Sequence, residues 1–380
     1  MSGRDRRTDK RPEYGEYESR KSKKGGPSVI RRIFVFVFRL LLMLVETVLL
    51  VGMLLYGVMY VVAKGPSPTA RDLFVMTVRE TSAIGFLANL YFSEEEIAQI
   101  EAGKTSFEYV ETDTSLISIN TEEPSESDGV QEGPKADAWG LVDEDGDGII
   151  IDPVKGEGFS GYMMVVLDPS RVIMGSIPES YGTRGYTVEE MVKKFDAVAG
   201  INAGGFEDAG GMGDGSIPDS LVVVDGEIYY AGNGYRYGFV GFDSDHIMHV
   251  GMPSAAEIKE KNIQTGACFG PVLITNGVPT DPSSLASGVN PRTAIGQRSD
   301  GAVLMLVIDG RQVISMGAKY QDLVDIMLEY GAVNACNLDG GSSSLMWFED
   351  GYVNNCASVI GIRPVPTTFL VLKEGANANG

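Results

Sequence analysis

An aspartate, two glycines and three hydroxyls stand in a row at Asp339-Gly340-Gly341-Ser342-Ser343-Ser344, after an apolar approach that includes Val333 and Ala335. The stretch 335–347 reads as a strand, a tight turn and a second buried element. Glycines let backbone N–H groups come close to a ligand. An acid at a strand end is placed for proton transfer or nucleophilic attack. A hairpin with an ordinary Asp-Gly turn has the same pattern, so other segments must decide between the two.

Three further segments share the form of an apolar strand entering a polar turn. Val307-Ile308-Asp309-Gly310-Arg311 offers a second acid and an arginine. Ile201-Asn202-Ala203-Gly204-Gly205-Phe206 leads into Glu207 and Asp208. Asn290-Pro291-Arg292-Thr293-Ala294-Ile295-Gly296 delivers an arginine just before a strand. A guanidinium there can hold a phosphate or carboxylate through two parallel bonds. Singly, each is a surface turn or a salt bridge; together, four strand ends with Gly beside Asn, Asp or Arg are the makings of one pocket. Only two histidines are present, His246 and His249. Three apart in a strand-like segment, they point to opposite faces and lack a third zinc ligand. No G-x-S-x-G elbow surrounds the serines. Acid–base work therefore falls to carboxylates.

Two other motifs fail on inspection. Asp143-Glu144-Asp145-Gly146-Asp147-Gly148 begins like a calcium loop, but Val154 stands where the bidentate Glu belongs. It reads as an acidic turn before a strand. Gly211, Gly213 and Gly215 are followed by a strand-like run instead of a helix, which excludes a dinucleotide fingerprint.

The elements that carry these groups follow from charge and periodicity. The 380-residue chain has net charge −21. Residues 1–32 hold eleven Lys/Arg against five Asp/Glu and read as a disordered basic tail. Residues 33–63 are apolar, with Glu46 the one acid, and reach membrane-spanning length. Basic flanking residues put the N-terminal side in the cytoplasm. A cleaved signal peptide is the competing reading, disfavoured by the length of the run and the lack of a small-x-small site. Residues 64–110 have helical spacing, with a capping box at Ser93 and Glu96, and read as a juxtamembrane stalk. Residues 111–138 form an acidic linker. From 139 to 374, short β-branched runs alternate with Gly-rich turns, at 148–152, 162–167, 220–224, 239–242, 272–275, 302–308 and 366–372. Helical spacing appears at 187–198 and 321–330. The class is α+β, a large mixed β-sheet with few helices, preceded by one transmembrane helix and a helical stalk. The acidic body excludes nucleic acid as a partner. Three cysteines make no disulfide scaffold, and whether Cys336 and Cys356 pair is left open.

Five blocks in order, 201–206, 269–271, 291–296, 309–311 and 337–343, resemble the phosphodiester glycosidase family over about residues 148–372. The order of anchor, stalk and domain is similar to bacterial members associated with exopolysaccharide and cell-wall metabolism. The resemblance implies cleavage between a sugar's anomeric carbon and a phosphodiester oxygen. It carries over to Asn202, Arg292, Asp309 and Asp339. Glu207 and Ser342 depart from the pattern, where an apolar residue and a third glycine are common. The expectation is that Arg292 and the N–H groups of Gly340, Gly341 and Ser342 hold the phosphate. Asp339, with Asp309 second, acts as acid/base or nucleophile. Asn202 and Arg311 orient sugar or acids, and Gly205, Thr293 and Asn337 complete the substrate-binding set. No cofactor is required, although an all-oxygen calcium site would suit a metal-dependent phosphodiesterase. A non-catalytic binder of sugar-phosphate polymers or envelope glycans is the other alternative; protein partners are not encoded.

Overall fold

The computed structural model describes residues 29–81, 84–101, 110–119, 136–208, 213–230, 238–281, 285, 287–358 and 361–375. The basic tail up to residue 28, most of the acidic linker and Gly211 lie outside the described residues. Strands β1–β17 and helices α1–α7 are numbered along the chain.

The chain divides into two units, residues 1–59 and 60–380. Helix α1 (Val29–Lys64) is 36 residues long. At 1.5 Å per residue it is about 54 Å in length, long and apolar enough to cross a bilayer, and its apolar side chains are exposed along its length. It is a candidate membrane anchor or signal sequence. In the second unit come α2 (Pro68–Arg79), α3 (Phe86–Asn89) and α4 (Glu94–Glu101). Ser67 caps α2. The expected capping box closes before α4, with Ser93 N donating to Glu96 Oε2 at 2.8 Å and Glu96 N to Ser93 Oγ at 3.2 Å.

The remaining strands build three sheets, and every pairing among the described residues is antiparallel. The first sheet orders β1 (Ile149–Gly156), β2 (Phe159–Val166), β13 (Val303–Ile308), β12 (Arg292–Arg298), β14 (Ala332–Leu338), β10 (Val272–Thr275) and β11 (Val278–Pro279). The second orders β16 (Gly351–Tyr352), β15 (Met346–Phe348), β4 (Ala197–Asn202), β17 (Thr367–Leu372) and β3 (Val172–Ser176). The third orders β6 (Glu227–Tyr230), β5 (Val222–Val224), β9 (Ile263–Phe269), β7 (Gly238–Asp243) and β8 (Met248–Gly251). Thus the α+β class with few helices holds, while the strands fall into three sheets where the sequence pointed to one.

Alternation sorts each strand's side chains. Ile295, Met305, Val307 and Leu338 face a core shared by all three sheets, with Ile201, Val240 and Phe369. Ala294, Leu304, Leu306 and Ala335 face the other way, under helix α7 (Tyr320–Glu329). Helix α5 (Val188–Lys194) covers the second sheet and α6 (Ala255–Glu260) the third. The helix expected over 187–198 has its Thr187–Glu190 capping box but ends at Lys194. Asp196 takes a left-handed φ of 50°, and residues from Ala197 on join β4. A buried guanidinium fixes the near end of the linker. Arg298, 1% exposed, pairs with Asp137 at 2.7 Å and Asp300 at 2.6 Å, its face 3.8 Å from the Trp139 ring. Removing one partner of a buried ion pair is strongly destabilising. Arg298→Ala is expected to cost about 3 kcal/mol, read as a lower urea midpoint with an unchanged m-value.

Candidate active site

Strand register assembles the site. In the first sheet β12 lies between β13 and β14, with Arg292 opposite Ile308 and Thr293 opposite Leu338. One step further, the ends of β13 and β14 place Asp309 and Asp339 on either side of the start of β12. The second sheet is joined at the same edge through Asn202, the last residue of β4. Asn202 is fully buried; its Nδ2 donates to Asp339 O at 2.6 Å, and its Oδ1 accepts from Thr293 Oγ1 at 2.8 Å and Leu345 N at 3.2 Å. Asp339 N donates to Ala203 O at 2.9 Å. Strand ends from two sheets therefore meet at one point.

Asp339 is half-buried, yet its Oδ2 is shut off from solvent and has no hydrogen-bond partner. Its Oδ1 accepts from Gly340 N at 2.9 Å. Burial pushes this carboxyl up to about 7, against the opposing pull of Ser343, the Gly340 N–H and the Arg363 charge. Two more buried polar atoms in the same stretch lack partners, Asn337 Oδ1 and Ser344 Oγ. A buried orphan costs on the order of 1–3 kcal/mol, so three of them in one short stretch are exceptional for a folded chain. The amide of Asn337 otherwise ties β14 to the 270–271 turn, donating to Gly270 O at 2.7 Å. Gly205 is backbone scaffold: its N–H donates to Cys268 O and its carbonyl accepts from Asp219 N.

Asp309 is enclosed. It is 4% exposed, and its carboxylate accepts from Asn354 Nδ2 at 3.0 Å, Asn355 N at 3.0 Å and Asn355 Nδ2 at 3.1 Å. Arg292 is committed as well. Its guanidinium donates to Glu80 Oε2 at 2.7 Å, Gly288 O at 2.7 Å and Ala318 O at 3.1 Å, and lies 4.2 Å over the Tyr320 ring. Two of the three turn N–H groups are also spent, Gly340 on Asp339 and Gly341 on Pro291 O. Gly341 needs its φ of 63° to make this turn, a conformation costly for a residue with a Cβ.

Two further cations stand near the turn, one without a carboxylate partner among the described residues and one paired. Arg311 is exposed and, among the described residues, has no carboxylate partner; its Nη2 donates to Thr81 Oγ1 at 3.0 Å and lies against Gly341. Partial desolvation of its guanidinium, then the neighbouring charges of Arg292 and Arg363, push its pKa down, so added anionic charge would be welcome. Arg363 reaches Ser342 Oγ at 3.3 Å while forked onto Asp208 at 2.7 and 2.9 Å, its face 5.0 Å from the Phe206 ring. Sequence reasoning singled out Asp208 and Arg311 but not Arg363, Asn354, Asn355, Glu80 or Thr81. Arg363 before a proline, and two asparagines after a hairpin, carry no periodic signal.

The acidic turn 143–148 precedes β1 as expected. Carboxylate oxygens of Asp143, Asp145 and Asp147 lie within 4.8 Å of one another, and Asp143 accepts from Gly146 N and Gly148 N. His249 Nε2 meets Asp243 Oδ2 at 2.8 Å, and His246 sits in a turn with φ 61°. Cys336 and Cys356 are both free.

Comparison with known proteins bears on this geometry. A family model described as phosphodiester glycosidase matches residues 195–372. The SPbeta prophage-derived uncharacterized protein YomE of Bacillus subtilis (strain 168) is 31% identical over 209 residues, covering 53% of this chain and 31% of that protein. The chain thus spans less than a third of that relative's length. The fold is similar to the zebrafish N-acetylglucosamine-1-phosphodiester alpha-N-acetylglucosaminidase catalytic domain auto-inhibited by pro-peptide. That likeness has a TM-score of 0.50 at 19% identity, over 60% of this chain and 82% of that one. A putative exported protein from Burkholderia pseudomallei K96243 is more distant, with a TM-score of 0.44 at 17% identity over 56% and 74%. Over residues 195–372, which carry Asn202, Arg292, Asp309, Arg311 and Asp339, the chain is similar to the phosphodiester glycosidase family.

Proposed function

We propose that this domain hydrolyses the bond between the anomeric carbon of a sugar and a phosphodiester oxygen, in a glycan of the cell envelope or an exopolysaccharide. Helix α1 would anchor it, with the domain outside the cytoplasm. One observation carries the reading: a buried carboxyl with an unpartnered oxygen, Asp339, shares its strand edge with the guanidinium groups of Arg311 and Arg363. An anion held by Arg311 puts its bridging oxygen near an acid that keeps its proton close to neutral pH.

The roles follow from what each group has left to offer. Arg311, with no carboxylate partner among the described residues, binds phosphate oxygens through charge-assisted bonds that strengthen as the leaving group gains charge. Arg363 stays forked onto Asp208 behind Ser342. Water adds to the anomeric carbon as its bond to the bridging oxygen breaks, and Asp339 delivers the proton to that departing oxygen. The added water gives up a proton to solvent, and solvent reprotonates Asp339, whose pKa a nearby phosphodiester holds up further. Arg292, already paired with Glu80, supports the strand edge without gripping the substrate. Asp309 anchors the 354–355 turn beneath the site. The reaction needs no metal in this scheme.

The direct test incubates the full chain in detergent with a methyl N-acetylglucosamine-1-phosphodiester, with and without chelator. Free sugar, released equally in both, is the expected product. Sugar-1-phosphate would mean cleavage of P–O, and no release would mean a binding protein.

Activity should fall as pH rises through about 7, where Asp339 loses its proton. A rate that rises through this window would make Asp339 a base or nucleophile instead. Stability has the same sign. The folded state holds a proton on Asp339 that the unfolded chain releases near its ordinary value of 3.8, so stability declines between that pH and about 7. Asp339→Asn should abolish this decline while cutting turnover by roughly 10²–10⁴-fold, read by urea titration across pH and by sugar release. Asn354→Ala strips a donor from Asp309 and should lower stability by about 1–3 kcal/mol, measured by the same titration at pH 7.

A further inference from the structure

Two of the cations at this edge, Arg292 and Arg311, are held by a segment far away in the chain. Glu80 follows directly after α2, and its carboxylate accepts from three groups of the strand entering β12. Oε1 takes Gly288 N at 3.2 Å; Oε2 takes Asn290 Nδ2 at 3.1 Å and Arg292 Nη2 at 2.7 Å. The ion pair is buried, with side-chain exposures of 13% for Glu80 and 5% for Arg292. Thr81, 8% exposed, accepts from Arg311 Nη2 at 3.0 Å and stands 3.2 Å from Asn290 Oδ1. One turn earlier, Thr77 Oγ1 accepts from Val289 N at 3.1 Å.

We propose that Glu80 and Thr81 are positioning residues of the active site: the membrane-proximal segment holds Arg292 and Arg311 in place for an anionic substrate. The inference rests on the reading that Arg311 meets the phosphate. Two guanidinium groups beside each other repel, and Arg311 already feels Arg292. Glu80 neutralises the inner one and leaves the outer one for the ligand. Thr81 is neutral, so it can aim Arg311 without cancelling its charge. The contact is also built at the backbone. A Cβ on Gly288 would overlap the Thr77 Cα, so the two segments pack without intervening side chains. Close buried packing of this kind fits a fixed support better than a removable plug.

The test uses the full chain in detergent, with the methyl N-acetylglucosamine-1-phosphodiester as probe. Thr81→Val should raise KM about tenfold with kcat nearly unchanged, because a hydrogen bond to a charged group is lost. Thr81→Ser should restore KM. Glu80→Gln should lower kcat/KM by about tenfold or more and speed hydrogen exchange at the Gly288 and Val289 amides. Faster turnover in Glu80→Gln or Thr81→Val would show that the segment covers the site, overturning the proposal. So would unchanged kinetics with unchanged exchange. Where the wild type binds the probe calorimetrically but releases no sugar, the hydrolase reading alone fails, and weaker binding in Thr81→Val still supports positioning. A wild type that neither binds nor cleaves overturns both.

Discussion

One buried amide fastens the site together. Asn202 bonds at once to the Asp339 carbonyl, the Thr293 hydroxyl and the Leu345 N–H, and so joins β4 of one sheet to β12 and β14 of another. Such a group is costly unless every partner is present. Its satisfaction therefore fixes the relative placement of two sheets at one edge. The turn after β14 inherits that placement, and with it the carboxyl of Asp339. The bonds of this Asn run to backbone and side-chain groups of the strand ends, and they set where those ends stand.

Charge is arranged around this joint with equal economy. A chain of net charge −21 gathers three arginines at its strand edge, and two of them are neutralised by single acids, Arg292 by Glu80 and Arg363 by Asp208. The third, Arg311, has none among the described residues. An acidic surface repels polyanions at a distance, but salt screens that field within about 10 Å, so the potential at this edge is set by the local arginines. A neutral carboxyl suits this setting better than an ionised one, since it can donate to an anion without opposing it.

The strand ends were legible in the sequence because both of their signals are local. An apolar run that stops at Asp309 or Asp339 and turns on glycine needs no distant residue to be recognised. Helix α7 was legible from its spacing, and α5 from its capping box, though not its end, because Asp196 breaks the helix through a backbone conformation its side chain does not announce. The role of each charged group was harder. Arg292 looked like the phosphate ligand, yet its partner Glu80 lies 212 positions away in helices expected to form a separate stalk. Pairings of that kind are set by docking, and nothing in the spacing of either segment encodes them. Arg363 and the Asn354–Asn355 pair stayed hidden for the same reason.

Strand β17 occupies the middle of the second sheet, between β4 and β3, although it is the last strand described along the chain. A sheet whose inner member arrives last cannot be completed progressively. Until residues 367–372 are available, β4 and β3 each keep a bare hydrogen-bonding edge, and the apolar faces of Phe369 and Val371 are missing from the shared core. Pairing across such long separations is slow and leaves exposed edges open to wrong partners. Emerging chains would therefore wait in an unfinished, aggregation-prone state, which makes the timing of synthesis and chaperone protection matter more here than for a domain that zips up from its first strand.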